Sequence, residues 1–241
     1  MIALVLGLCG LAVALPGVAR QLLPRRFTAA QQRQIEAWEM SRRWRSLPEG
    51  AIFPATVSYR LPGFALNVTG NRGLSLRAHR LGVAAVVRCP QGAGPAAARI
   101  LDSYGCTAML RATYADSTGS LVTTVGVAVL PDATDATTAT TRLAQAGPEG
   151  LPGTVRAAAV SDTLASRYDD AQRQLSWNTH AGPYVILTTT GFSDGRPRVR
   201  VMADSYMSNE MGSLNQGLAD SVGDVLGQAP AKPACPGAPG C

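Results

Sequence analysis

The chain has 241 residues, 46% of them hydrophobic and 16% charged, with 25 Gly, 16 Pro and a net charge of +6. That length holds one domain with a real core. The charge is no nucleic-acid footprint, because residues 1–50 carry seven Arg against three Glu while the rest carries 15 Lys and Arg against 13 Asp and Glu. A basic segment lying beside an anionic membrane explains it, and no nucleic-acid partner is expected.

Ile2 to Ala19 has no charged residue and, with Leu22 and Leu23, reaches spanning length. A transmembrane anchor over residues 1–24 and a cleaved signal peptide are the two readings; the lack of a charged n-region favours the anchor. Arg20, Arg25 and Arg26 after the span argue for a cytoplasmic domain, whereas the cysteines argue for an extracytoplasmic one. Residues 25–50 read as a juxtamembrane basic helix. Thr28 can cap it, and Trp38, Arg42, Arg43, Trp44 and Arg45 form either a membrane-surface patch or one side of a helix packed on the domain.

Residues 51–227 are expected to form an extracytoplasmic α+β domain. Ile52 to Leu61 reads as a first strand, and 62–80 as an irregular segment in which His79 is a solvated loop residue. Gly82–Val87 reads as a buried strand. Pro95 then opens a helix whose Ala97, Ile100, Leu101 and Tyr104 share one face, and Gly105 ends it. Cys106 opens a strand, Ser117–Ser120 is a hairpin connection, and Leu121–Leu130 a central strand buried on both faces. Asp132–Ala146 is either a helix capped by Asp132 or a linker, with Gly147–Gly153 a joint after it.

Further strands are predicted over Thr154–Val160, Gln172–Thr179 and Tyr184–Phe192. The alternating run 196–201 reads as another, with Arg196, Arg198 and Arg200 on one face. Ser205–Gly227 reads as a long helix with Met207, Met211, Leu214, Leu218 and Val222 on its apolar side. Residues 228–241 are a Pro-rich tail. The whole is an antiparallel sheet with helices packed on one face, preceded by an N-terminal transmembrane helix.

Cys9 lies in the apolar segment, leaving Cys89, Cys106, Cys235 and Cys241. Three pairings are possible, of which the sequence-local one joins 89 to 106 and 235 to 241. His79 and His180 show no ligand spacing to any cysteine, so neither a metal nor a cofactor is expected. No nucleophile elbow, phosphate loop or zinc signature occurs, and His180, Ser176 and Asp170 are near only in sequence; an enzyme is not expected. The stripe of Arg196, Arg198 and Arg200 is either a surface for an anionic ligand or acidic partner, or the solvent face of a half-buried strand.

At TAAQQRQIEAWEMSRRWRSLPEGAIFPATVSY, CTAMLRATYADSTGSLVTTVGVAVLPD, RQLSWNTHAGPYVILTTTGFSDGRPRVRV and the terminal CPGAPGC, the chain resembles a family of uncharacterised, membrane-anchored actinobacterial (Streptomyces-like) proteins. That resemblance implies no activity. The order of elements and the two cysteine pairs are also faintly similar to extracytoplasmic sensor domains of bacterial Ser/Thr kinases, although no kinase domain is present. The expectation is a single-pass envelope protein whose domain binds a ligand or partner; a structural subunit of a membrane complex is the alternative, and an enzyme comes third.

Overall fold

The computed structural model describes residues 27–63, 73–146, 151, 153–199 and 205–228. The elements run α1 (Ala29–Ser46), α2 (Glu49–Ile52), β1 (Thr56–Leu61), β2 (Leu74–Val87), α3 (Cys89–Gly92), α4 (Pro95–Ser103), β3 (Ala108–Asp116), β4 (Leu121–Val129), α5 (Ala133–Ala144), β5 (Arg173–Ala181), β6 (Tyr184–Phe192) and α6 (Ser205–Gly227). The six strands make one antiparallel sheet in the order β1-β2-β3-β4-β6-β5. The sheet runs unbroken across the predicted joint, because β4 pairs directly with β6.

Local chemistry explains most of the element boundaries. Thr28 and Gln31 form a reciprocal capping box at the start of α1. Pro95 occupies the first turn of α4, and Gly105, at φ +72°, reverses the chain after it. Asp132 accepts hydrogen bonds from the backbone of Thr134 and Asp135, which makes Asp132–Ala146 a capped helix and not a linker. The β3–β4 turn is closed by Asp116, whose carboxylate accepts from Thr118 N and, at 2.7 Å, from Leu121 N.

Helices cover both faces of the sheet, not one. On one face, Ala108, Leu110, Ala112, Tyr114, Val125, Val127, Val129, Tyr184 and Ile186 meet Met211, Leu214, Leu218 and Val222 of α6. On the other, Met109, Ala128, Val185 and Leu187 meet Ala97 and Leu101 of α4 and Ala136, Ala139 and Leu143 of α5. The alternation along each strand dictates this arrangement. β4 is buried at every position, so neither of its faces can be left to water.

Backbone approach on the α6 side is close: a Cβ on Gly217 would lie 2.5 Å from Tyr59 Cβ. Helix α1 packs on the same layer. Its Ile35 is fully buried, Arg43 Nε donates to Val225 O at 2.8 Å, and Tyr184 Oη accepts from Trp44 N and donates to Met40 O. Burial pushes the Tyr184 hydroxyl up to about 12.

Other expectations are corrected. Glu49–Ile52 is a helical turn, so β1 starts at Thr56, past Pro54. β2 begins at Leu74, and His79 sits on that strand with its ring against Thr56 Oγ1. Two bulges, between Arg80 and Gly82 and between Ala84 and Val87, hid this long strand by breaking its alternation. Thr154–Val160 is not a strand: it makes one bridge, Val155 to Ala93, and two of its amides go to side chains, Ala157 N to Asp170 and Ala158 N to Thr124. Residues 195–199 are not a strand either. Pro197 lacks a donor, while Arg198 N bonds Ala171 O and Val199 N bonds the Gln174 side chain. Among the described residues no helix is long and apolar enough to cross a membrane; the predicted anchor, residues 1–24, lies outside them.

Cys89 and Cys106 form a disulfide that closes the α3–α4 layer over a separation of 17 residues. Replacing both by Ala should lower stability by about 3 kcal/mol on the loop-entropy account, read as a lower urea midpoint with an unchanged far-UV spectrum.

Candidate functional site

A cleft of about 520 Å³ opens where the β3–β4 turn, the end of β6 and the first turns of α6 meet. Thr118 to Ser120, Phe192 to Asp194, Arg196, Tyr206, Met207 and Glu210 line it. The walls are fixed. Ser193 bonds the turn twice, through its backbone to Ser120 O at 3.0 Å and through its hydroxyl to Gly119 O at 2.5 Å. Asp116, 3% exposed, spends its carboxylate on the turn.

Glu210 is the unusual group, only 6% exposed yet lining the open cleft. Among the described residues no salt bridge reaches it. Burial, then the neighbouring Asp116, holds its carboxyl above the ordinary value; the Tyr206 and Tyr59 hydroxyls pull the other way. The Tyr59 hydroxyl is turned toward this carboxyl but completes no hydrogen bond, and burial raises its titration. A carboxyl held above its ordinary value beside phenols, with Thr118, Ser120 and Ser193 hydroxyls around them, is a set of fixed polar groups for a polar molecule.

Of the three arginines expected on one strand face, Arg196 reaches the cleft, but it is engaged. Its guanidinium binds Asp194, with Nε to Oδ2 at 2.7 Å, and lies 4.4 Å over the Phe192 ring. That pairing holds the Asp194 carboxyl below its ordinary value. Arg198 is in an irregular segment, and Arg200 lies outside the described residues. In α1, Arg43 and Trp44 turn toward the protein, while Arg42 and Arg45 stack over the rings of Trp38 and Trp44. Cys89 and Cys106 are paired; Cys235 and Cys241 lie outside the described residues.

His180, Ser176 and Asp170 do not converge: His180 bonds Thr137, Ser176 bonds Thr189, and Asp170 pairs with Arg156. Among the described residues no cluster of His, Cys, Asp or Glu could hold a metal ion.

Sequence reasoning missed Glu210, Asp116 and Tyr59. A signal was present for the first: position 210 falls on the apolar stripe between Met207 and Leu214, where a lone acid is out of place. A second, apolar groove of about 430 Å³ is lined by Trp44, Leu47, Ile52, Phe53, Val83 and Leu110. It flanks the end of β2, where Val86 is 54% exposed and, since β1 pairs only with Leu74–His79, the outer edge of residues 81–87 is open among the described strands. Comparison with known protein families, with characterised proteins and with solved structures finds no match to this chain.

Because the folded carboxyl of Glu210 titrates above its ordinary 4.5, the folded state holds the proton longer. Its contribution to stability is full below that value and is lost as pH rises through the folded one. Glu210→Gln should therefore raise the melting temperature at neutral pH and flatten the decline above about pH 4.5, followed by thermal melts from pH 4 to 8.

Proposed function

We propose that this chain is an envelope binding module, held at the membrane by residues 1–24, with its domain outside the cell and a small polar ligand taken in the Glu210 cleft. The observation that carries this reading is a buried acid that no salt bridge reaches among the described residues, lining an open cleft whose walls are locked by hydrogen bonds. Such preorganised polar groups cost little to arrange on binding. The Cys89–Cys106 bridge supports an oxidising compartment. The uncharged run from Ile2 to Ala19 and the basic helix after it support attachment to a membrane. The resemblance to membrane-anchored actinobacterial proteins agrees with both.

Two measurements test it. Maleimide mass shifts on intact cells should show Cys89 and Cys106 reacting only after reduction; free reaction without reductant would place the domain in the cytoplasm. Thermal shifts of the purified chain against saccharides, polyols, amines and amino acids should yield a stabilising compound whose effect is lost in Glu210→Gln. A compound that stabilises both proteins equally would move the site elsewhere.

The open β2 edge and its apolar groove favour a second reading, a subunit of a membrane complex that adds a partner's strand at residues 81–87. On that reading a partner co-purifies in detergent and is released by Val86→Asp, a change that leaves the Glu210 cleft untouched.

A further inference from the structure

On the face opposite the Glu210 cleft, two guanidinium groups share one carboxylate and a third stands near it. Asp170 accepts from Arg156 Nη1 at 3.1 Å and from Ala157 N at 2.9 Å, and stands 3.3 Å from Arg173 Nε. These three contacts engage both of its oxygens. Arg156 also donates to Ala93 O, and Arg173 to Asp170 O and Val155 O, so both are tied into the crossing segment above the sheet.

Arg111 is the third guanidinium, and it has no such tie. It projects from the middle of β3 toward this layer, and its Nε is buried without a hydrogen-bond partner. Its neighbours across the sheet, Ala84 on β2 and Gly126 on β4, bring no polar side chain. No hydrogen bond or ion pair to its guanidinium exists among the described residues. Arginine cannot escape this position by losing its proton in the ordinary range. Burial and, less strongly, the proximity of Arg156 disfavour its charge, and Asp170, which it does not contact, favours it.

We propose that Arg111 and Arg156 form a binding site for a phosphate-sized oxyanion, either free or presented by a phospholipid headgroup. An oxyanion supplies the acceptors that Arg111 lacks and offsets the excess of two positive charges over Asp170. The inference does not rest on the Glu210 cleft: it concerns the other face of the sheet and a ligand of opposite charge.

The test uses the full-length chain in detergent, titrated with inorganic phosphate against sodium chloride at matched ionic strength. Phosphate should raise the melting temperature where chloride does not. Arg111→Met should weaken phosphate binding by at least about tenfold, the loss of a charged hydrogen bond, while Arg196→Met leaves it unchanged. In phosphate-free buffer the same Arg111→Met should melt higher than wild type, since it removes an uncompensated charge.

Should Arg111→Met not fold, Arg111→Lys and Arg156→Gln carry the test, each binding phosphate more weakly than wild type. Flotation with phosphatidylglycerol and phosphatidylcholine vesicles separates the two sources. Arg111-dependent binding to the anionic vesicles alone, with no response to free phosphate, assigns the headgroup. An equal stabilisation by phosphate of wild type and the Arg111 variants, an equal response to chloride, or no Arg111-dependent binding to either phosphate or anionic vesicles would overturn the proposal.

Discussion

Three strands, β3, β4 and β6, are buried on both faces except at the half-buried Arg111 and Phe192, and the rest of the molecule answers to that requirement. A strand buried on both sides cannot be served by one helical layer, so α6 with α1 closes one face while α4 and α5 close the other. It also cannot leave a hydroxyl unpaired. The threonines of these strands accordingly bond across the sheet or up into the covering layers. Thr113 meets Thr124 at 3.1 Å and donates to Ala158 O; Thr123 meets Thr190, which reaches Asn215 on α6 at 2.9 Å. The crossing segment from Thr154 to Val160 is irregular because it serves these groups in place of a ladder. The disulfide acts on the thinner of the two layers, where α3 and α4 together span only Cys89 to Ser103.

Where a local signal was sufficient, the elements were legible in the amino-acid order. The run from Leu121 to Leu130 could only be a strand buried twice, and the spacing of Met211, Leu214, Leu218 and Val222 could only be a helix face. Thr28, Pro95, Gly105 and Asp132 each marked a helix end by its own chemistry. Which face each helix covers was not legible, since α4, α5 and α6 are all amphipathic and nothing local says toward which side. Yet the two-sided burial read for Leu121–Leu130 already required a second layer, and one-sided packing contradicted it. The 196–201 run failed for a related reason. Its alternation was real, but a strand needs a neighbouring ladder, and the Gln174 side chain and Ala171 carbonyl take up its amides instead.

The charged groups were misjudged in the same direction. A row of arginines in a hydrophilic stretch drew notice, whereas single charges inside apolar elements did not. Energetically the order is reversed: exposed charges are screened and find partners cheaply, as Arg196 does with Asp194 two residues away, while a charge carried into the interior keeps most of its field. Glu210 on the apolar side of α6 and Arg111 between Leu110 and Ala112 both break the pattern of their own element. A residue that violates the rule of its element is a sharper pointer to a site than one that obeys the rule of a surface.

Both irregularities involve β3: Arg111 sits on it and Asp116, which raises the Glu210 carboxyl, ends it. They point to opposite faces, by the parity of their positions. The charges that act on Arg111 are Asp170 and Arg156, and Asp116 acts on Glu210, so the sheet keeps the two groups in separate surroundings. Neither group can neutralise the other, and each must be balanced from its own side by a proton, an ion or a ligand. For Glu210 a proton is enough, because a carboxyl can become neutral at modest cost. For Arg111 it is not, because a guanidinium has no neutral form within reach. The two sites therefore differ in kind: the acid has a neutral form within reach, whereas the arginine stays charged and calls for an anion.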